Sequence, residues 1–252
     1  MSSSIKGVGK YLYAIVPDGM NPKFGEIGID GAQVYIITYN HISAVVSDFN
    51  NGKIRPERRH LAEHQAVLKS ILKDESPLPI SFGMIAGSAE EIQRILSLNW
   101  KSLTDQLKRV QGKVEMGIRV VWDVPNIFEY FVNIHKELRD VRDKLLRGSR
   151  NPTQNDKIEV GRLFEWLLKE DRENLTQKVE EGLKSTCFEI TRLSLRNEKD
   201  VMNLACLIER ESIEKNFEAA ICEIAQNFDN NFTFDFNGPW APHNFVNVQL
   251  VL

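Results

Sequence analysis

Val114-Glu-Met-Gly-Ile-Arg-Val-Val-Trp122 is the stretch whose reading decides the fold. Val114, Met116, Ile118, Val120 and Trp122 alternate with their neighbours, the period of a half-buried strand. Gly112 stands just before it and marks a domain boundary. Downstream, Pro125 opens a helix carrying Ile127, Phe131, Ile134, Leu138, Val141 and Leu145, a spacing of four and three by turns that predicts a coiled-coil seam. A polar loop, 148–156, leads to a second helix over about 157–184 with Val160, Phe164, Leu168, Leu175 and Val179. A strand near 187–196 follows, its apolar parity flipping between Ile190 and Leu193 as at a bulge. Then come a strand over 201–209, a helix over 211–228 and the strand Phe232–Phe236. The order strand, helix pair, strand, strand, helix, strand is that of a ferredoxin-like βαββαβ sandwich with a helical hairpin, 126–184, in its first crossover.

Upstream of Gly112 the pattern is different. Tyr11–Val16, Val34–Tyr39 and Ile42–Phe49 read as strands, the last two joined by a tight turn at Asn40-His41. A helix is expected over 56–74, with Pro56 in its first turn and Leu61, His64, Leu68, Ile71 and Leu72 on one face. Ser76-Pro-Leu-Pro79 breaks it, Ile80–Ile85 reads as a strand, and Ser88 with Glu91 caps a further helix carrying Ile92, Leu96, Leu103, Leu107 and Val110. The fold class is therefore α+β with two domains. Residues 1–111 form an α+β domain of unassigned topology, 112–237 the ferredoxin-like domain, and 238–252 an ordered C-terminal tail.

That tail, Gly238-Pro-Trp-Ala-Pro-His-Asn-Phe-Val246 and onward, resists fraying. Pro239 and Pro242 limit the entropy lost on ordering. Trp240 and Phe245 offer large apolar surfaces. Val246, Val248, Leu250 and Leu252 alternate like a strand, and no side chain from Phe236 to Leu252 carries a formal charge with His243 neutral. Such a segment must be covered. Either it docks on its own chain, with Trp240 and Phe245 pinning it against the N-terminal domain, or Trp240, Pro242, Phe245, Val246, Val248 and Leu250 meet a partner.

With 42% hydrophobic and 27% charged residues the chain has the make-up of a soluble globular protein. A net charge of −3 gives no footprint for nucleic acid. The N-terminus has no apolar core of signal-peptide type and the strand candidate Tyr11–Val16 is too short to span a bilayer, which predicts a cytosolic protein without a lipid membrane partner. Cys187, Cys206 and Cys222 are odd in number and widely spaced, and are expected as buried free thiols.

The sharpest catalytic match is His60-Leu-Ala-Glu63-His64, the H-x-x-E-H arrangement of inverted zinc peptidases. Two histidines one turn apart can share a metal with the glutamate as base. Against it, His64 falls within the apolar stripe, and no downstream segment resembles the acidic third-ligand helix. No Walker or dinucleotide loop and no G-x-S-x-G elbow occurs. Arg55, Arg58 and Arg59 read as a solvated helix start, and the strand aromatics as core. No cofactor is expected. A small-ligand regulatory module is the other open class, on fold analogy alone.

Three stretches carry a resemblance: Lys10-Tyr-Leu-Tyr-Ala-Ile-Val16, Ser76-Pro-Leu-Pro-Ile-Ser-Phe-Gly83 preceded by His64 on its helix, and Gly238–Val246. Together they resemble the gas vesicle protein family GvpL/GvpF. That family has a Tyr-Leu-Tyr-Gly-Ile-Val strand, a histidine-bearing helix before Leu-Pro-Val-Arg-Phe-Gly-Thr, and a terminal Gly-Pro-Trp-Pro-Pro-Tyr-x-Phe. Ser81, Met84, Ala241 and His243 depart from the pattern, at Arg, Thr, Pro and Tyr positions respectively. The resemblance implies a non-enzymatic protein of gas vesicle formation, a minor structural component or assembly factor. Its implied partner is the small, very hydrophobic major shell protein, GvpA, and its implied place the cytoplasm beside the vesicle. The modest charge favours a freshwater source such as a cyanobacterium over a salt-adapted archaeon.

Overall fold

The computed structural model describes residues 8–19, 24–50, 52–147 and 152–251. Residues 1–7, part of the loop 148–156 and the strand-like Leu252 lie outside them. The chain divides into two units. One takes the chain up to Met116 with Leu207–Arg210 and the segment from Gly238; the other takes Gly117–Cys206 and Glu211–Asn237.

The first unit is built on β1 (Gly9–Pro17), β2 (Val34–Tyr39), β3 (Ile42–Phe49), β4 (Leu78–Pro79) and β5 (Ile85–Ala86). The order is β2-β3-β1-β4, with β5 also on β1, and the pairs are antiparallel. Asn40 and His41 both have positive φ, the two-residue turn whose twist suits a hairpin. Tyr11 through Val16 are all buried, because β1 serves two cores. Tyr11, Tyr13, Ala14 and Val16 join one with Val67, Leu68 and Ile71. Leu12 and Ile15 join the other with Leu96, Leu103 and Leu107. A register shift between Leu12 and Ala14 leaves Tyr13 without a partner on β3 and explains the broken alternation.

Helix α1 runs over Arg58–Ile71 and buries His64, Val67, Leu68 and Ile71. Leu61 is exposed and Pro56 precedes the helix, so the buried stripe starts one turn later than its spacing suggests. The expected strand over 80–85 is instead two short pieces, β4 and β5, parted by a turn in which Gly83 has φ of +93°. Pro77 and Pro79 remove ladder donors, and a positive φ cannot sit within a strand. Helix α2, Ala89–Val110, is capped as expected. Ser88 Oγ accepts from Glu91 N–H, and the Glu91 carboxylate accepts from Gly87 N–H.

The second sheet contains β6 (Lys113–Trp122), β7 (Glu189–Arg192), β8 (Asp200–Glu209) and β9 (Phe232–Trp240), in the order β7-β8-β6-β9. All five alternating residues of β6, Val114 to Trp122, are buried. Helices α3 (Ile127–Ile134), α4 (Lys136–Arg147) and α5 (Gln154–Leu183) lie between β6 and β7 in sequence, and α6 (Glu218–Ala225) precedes β9. The single helix expected after Pro125 is broken at His135, which takes an extended ψ of 111°. Its ring stacks on Phe131 and bonds Asp171 at 3.0 Å. The coiled-coil seam is not continuous: within α4 only Leu138 is buried. Strand β7 stops at Arg192, short of the expected 196. The expected helix over 211–228 is a 3₁₀ turn (Arg210–Ser212) and a π turn (Ile213–Phe217) before α6. Strand β9 continues past Phe236 to Trp240, taking Pro239 onto an edge strand, where a missing donor is tolerated. Of the cysteines, all free, Cys206 is buried, Cys187 intermediate and Cys222 exposed, so burial of all three does not hold.

Candidate functional site

The C-terminal segment is seated on the first unit by three successive devices. Gly238 comes first, at φ of +138°. A Cβ there would lie 2.5 Å from Met116 Sδ and 3.0 Å from Glu115 O, so glycine is required both for backbone and for space. Trp240 is half-buried, with the Lys69 ammonium 4.9 Å from its ring centroid. Ala241 and Pro242 are buried.

The second device is a turn. His243–Phe245 forms a 3₁₀ turn that drops the Phe245 ring into the interior, 3% exposed. Beside it the buried carboxylate of Glu115 accepts from Asn244 N–H at 2.8 Å and from Asn244 Nδ2 at 2.7 Å. Burial raises the Glu115 pKa, and the two Asn244 bonds oppose the rise.

The third device replaces an expected strand. Among the described residues, 246–251 join no ladder, yet Val246, Val248 and Leu250 are part-buried and 247, 249 and 251 exposed, the alternation of an extended chain. Val246, Val248 and Leu250 pack on the core that holds Leu12 and Ile15. The main chain is held by two carboxamides of α2. Gln106 accepts from Asn247 N–H at 2.7 Å and donates to Asn247 O at 2.9 Å. Asn99 accepts from Val251 N–H at 3.0 Å and donates to Val251 O at 3.0 Å. Each carboxamide thus stands in for one residue of a partner strand, exchanging both bonds as a hydrogen-bonded antiparallel pair does.

The six sequence-named residues Trp240, Pro242, Phe245, Val246, Val248 and Leu250 are therefore gathered in the first unit. Phe245, not Trp240, is the fully buried ring. Asn99, Gln106, Glu115 and Asn244 were not singled out by sequence. Asn99 did leave a signal: it lies between Leu96 and Leu103 on the apolar stripe of α2 and is buried, where an unpaired amide would be costly.

The histidine pattern is taken apart. His64 is buried, and its Nδ1 lies 3.0 Å from the Tyr11 hydroxyl, with the Ile80 backbone also against the ring. Tyr11, Tyr13 and Phe82 surround the ring. Burial, with a smaller push from His243, lowers its pKa to about 4. His60 instead faces the Arg55 carbonyl at 3.1 Å and Asp30 at 3.3 Å. The two rings are committed to different partners, so the shared zinc expected from H-x-x-E-H is not assembled. Oxygen and nitrogen atoms of Asp30, His60 and Glu63 do converge within 4.8 Å. The Arg59 guanidinium already sits among them, 2.6 Å from Asp30 and 3.3 Å from Glu63.

Comparison with known proteins gives one consistent result. The family model described as gas vesicle synthesis protein GvpL/GvpF matches residues 9–247. Gas vesicle protein F of a Nostoc species is 25% identical over 244 residues, covering 96% of this chain and 99% of that protein. Gas vesicle protein F2 of Halobacterium salinarum is 27% identical over 246 residues, covering 95% and 93%. The crystal structure of GvpF from an Anabaena species superposes with a TM-score of 0.86 at 24% identity, covering 96% of this chain and all of that one.

Proposed function

Because the chain belongs to the GvpL/GvpF family of gas vesicle synthesis proteins, we propose that it is a non-enzymatic minor component or assembly factor that contacts the hydrophobic major shell protein GvpA as gas vesicles form. The observation that carries this reading is the family match from residue 9 to residue 247, which leaves neither unit outside it. The engagement of His60 and His64 with separate partners supports a role without zinc chemistry.

The same reading supplies a mechanism. An apolar, β-rich shell subunit aggregates while its strand edges are unpaired. A helper must offer uncharged surface and backbone to pair with. The segment from Gly238, seated by Asn99, Gln106 and Glu115, has both. We also read the second sheet as ferredoxin-like, since β7-β8-β6-β9 with helices before β7 and β9 is the order a split βαβ pair builds.

The test is capture of GvpA by the full chain on co-expression, with a vesicle-forming host lacking the chain beside it. Capture, together with loss of vesicles in the host, is the expected result. A chain that captures other gas vesicle proteins but never GvpA would move the contact away from the shell subunit.

A further inference from the structure

The C-terminal segment is held along one edge and open along the other. In an extended chain the N–H and C=O of one residue point to the same side, and those of the next residue to the opposite side. Asn247 and Val251 direct theirs at Gln106 and Asn99. Val248 and Leu250 therefore direct theirs away from those carboxamides. Among the described residues no hydrogen bond engages the backbone of either.

These two residues present two donors and two acceptors at a repeat of about 6.7 Å, the spacing a neighbouring strand requires. Their side chains are packed on the core below, so the edge is already ordered before anything pairs with it. Pairing then costs little of the backbone entropy that a free peptide would lose. Strand edges left open in proteins are ordinarily guarded by lysine, by proline at the paired position or by a bulge. Here no side chain from Phe236 to Leu252 carries a formal charge with His243 neutral, and both prolines lie upstream of the edge.

We propose that Val248 and Leu250 form a strand-docking edge whose occupant is an extended, uncharged segment with apolar side chains at alternate positions. An occupant bearing charge would meet no countercharge in the segment, whereas an uncharged strand loses nothing by lying against it. Resting on the function proposed above, the protein that supplies this segment is the gas vesicle shell subunit.

Proline substitution separates the two edges. Val248→Pro and Leu250→Pro each delete a donor on the open side, whereas Gln249→Pro deletes one on the α2 side. The probe is GvpA co-expressed with the full chain, read as captured GvpA per chain, with thermal melting as the check on folding. Val248→Pro and Leu250→Pro are expected to lower capture about tenfold, the worth of one hydrogen bond at the upper end, with Gln249→Pro within about twofold of wild type. Gln249→Lys, on an exposed side chain, adds a guarding charge without touching the packed face, and is expected to lower capture as well.

Amide exchange gives a second readout. In the free chain Asn247 and Val251 are expected to exchange slowly and Val248 and Leu250 fast; with GvpA bound, Val248 and Leu250 become slow. Wild-type capture by both Val248→Pro and Gln249→Lys overturns the edge while leaving the function intact. Fast exchange at Val248 and Leu250 in the complex overturns it too. Absence of capture by the wild-type chain overturns both readings together.

Discussion

The two faces of β1 are closed by unlike chemistry. Toward α1, Tyr11 meets His64 and Gly83, and Tyr13 meets Ser47 and Ile29, each through a hydrogen bond between named atoms. Toward α2, Leu12 and Ile15 enter an aliphatic core. That core is finished by a segment whose side chains need only be apolar and whose main chain is gripped by Asn99 and Gln106. The first face specifies particular side chains. The second specifies an extended backbone with apolar side chains at alternate positions. A fold that carries both can keep one side invariant in detail and leave the other as a general seat for strand-like chain.

The contrast breaks first, if it breaks, at Phe245, the buried ring at the head of the segment that finishes the aliphatic side. Phe245→Ala is expected to cost about 3–5 kcal/mol in urea unfolding, as large buried truncations do. A loss below about 1 kcal/mol would mean that the segment is held without this ring.

The specific side is tested by pH. His64 has a folded pKa of about 4 and an unfolded value near 6.5. On acidification the unfolded chain takes the proton first, so stability is complete above pH 6.5 and is lost as pH falls toward 4. The loss attributable to this residue is roughly 3 kcal/mol. His64→Leu should be less stable at pH 7, with the Tyr11–His64 hydrogen bond lost, but should show a flatter profile between pH 6.5 and 4. Parallel profiles for variant and wild type would remove His64 as the source. Glu115 works in the opposite sense. Its raised pKa penalises the folded state as pH climbs above 4.5 through the folded value. Glu115→Gln should therefore flatten that part of the curve.

Smaller effects sharpen the picture of the seat. Asn99→Ala and Gln106→Ala should each cost about 1 kcal/mol and speed amide exchange at Val251 and Asn247 respectively. Exchange that stays slow in both would show that the clamps are redundant. Trp240→Ala is expected to cost about 1 kcal/mol or less, because its ring is only half-buried and its Lys69 contact is of the cation–π kind. A cost as large as that of Phe245→Ala would put the anchor at Trp240 after all.

Much of this was legible in the residues. The alternation from Val114 to Trp122, the Asn40-His41 turn and the Ser88 cap each depend on a local pattern that the folded chain keeps. So did the tail's apolar positions, Val246, Val248 and Leu250. What misled was tertiary. The apolar spacing through Ile134 and Leu138 continues across His135, but the ring is drawn to Phe131 and Asp171 and the helix breaks there. Residues 246–252 read as a strand, yet among the described residues no strand pairs with 246–251, because alternation reports an extended chain and is silent about what meets its backbone. Asn99 and Gln106 could not be given that task from sequence, since their partners lie more than 140 residues away. His60 and His64 matched a metal pattern because spacing records the turn of a helix and not what each ring finds across it.

The register shift at Tyr13 has a consequence for how this chain can change length. Strand β1 carries one residue more than β3 needs between Leu12 and Ala14. Deleting that residue would straighten the strand and keep Ala14, Ile15 and Val16 on their present sides, at the loss of one ring and its bonds. Inserting a residue would send all three to the wrong side unless a second irregularity arose to absorb it. Among descendants of this sequence, β1 can shorten by one step more readily than it can lengthen.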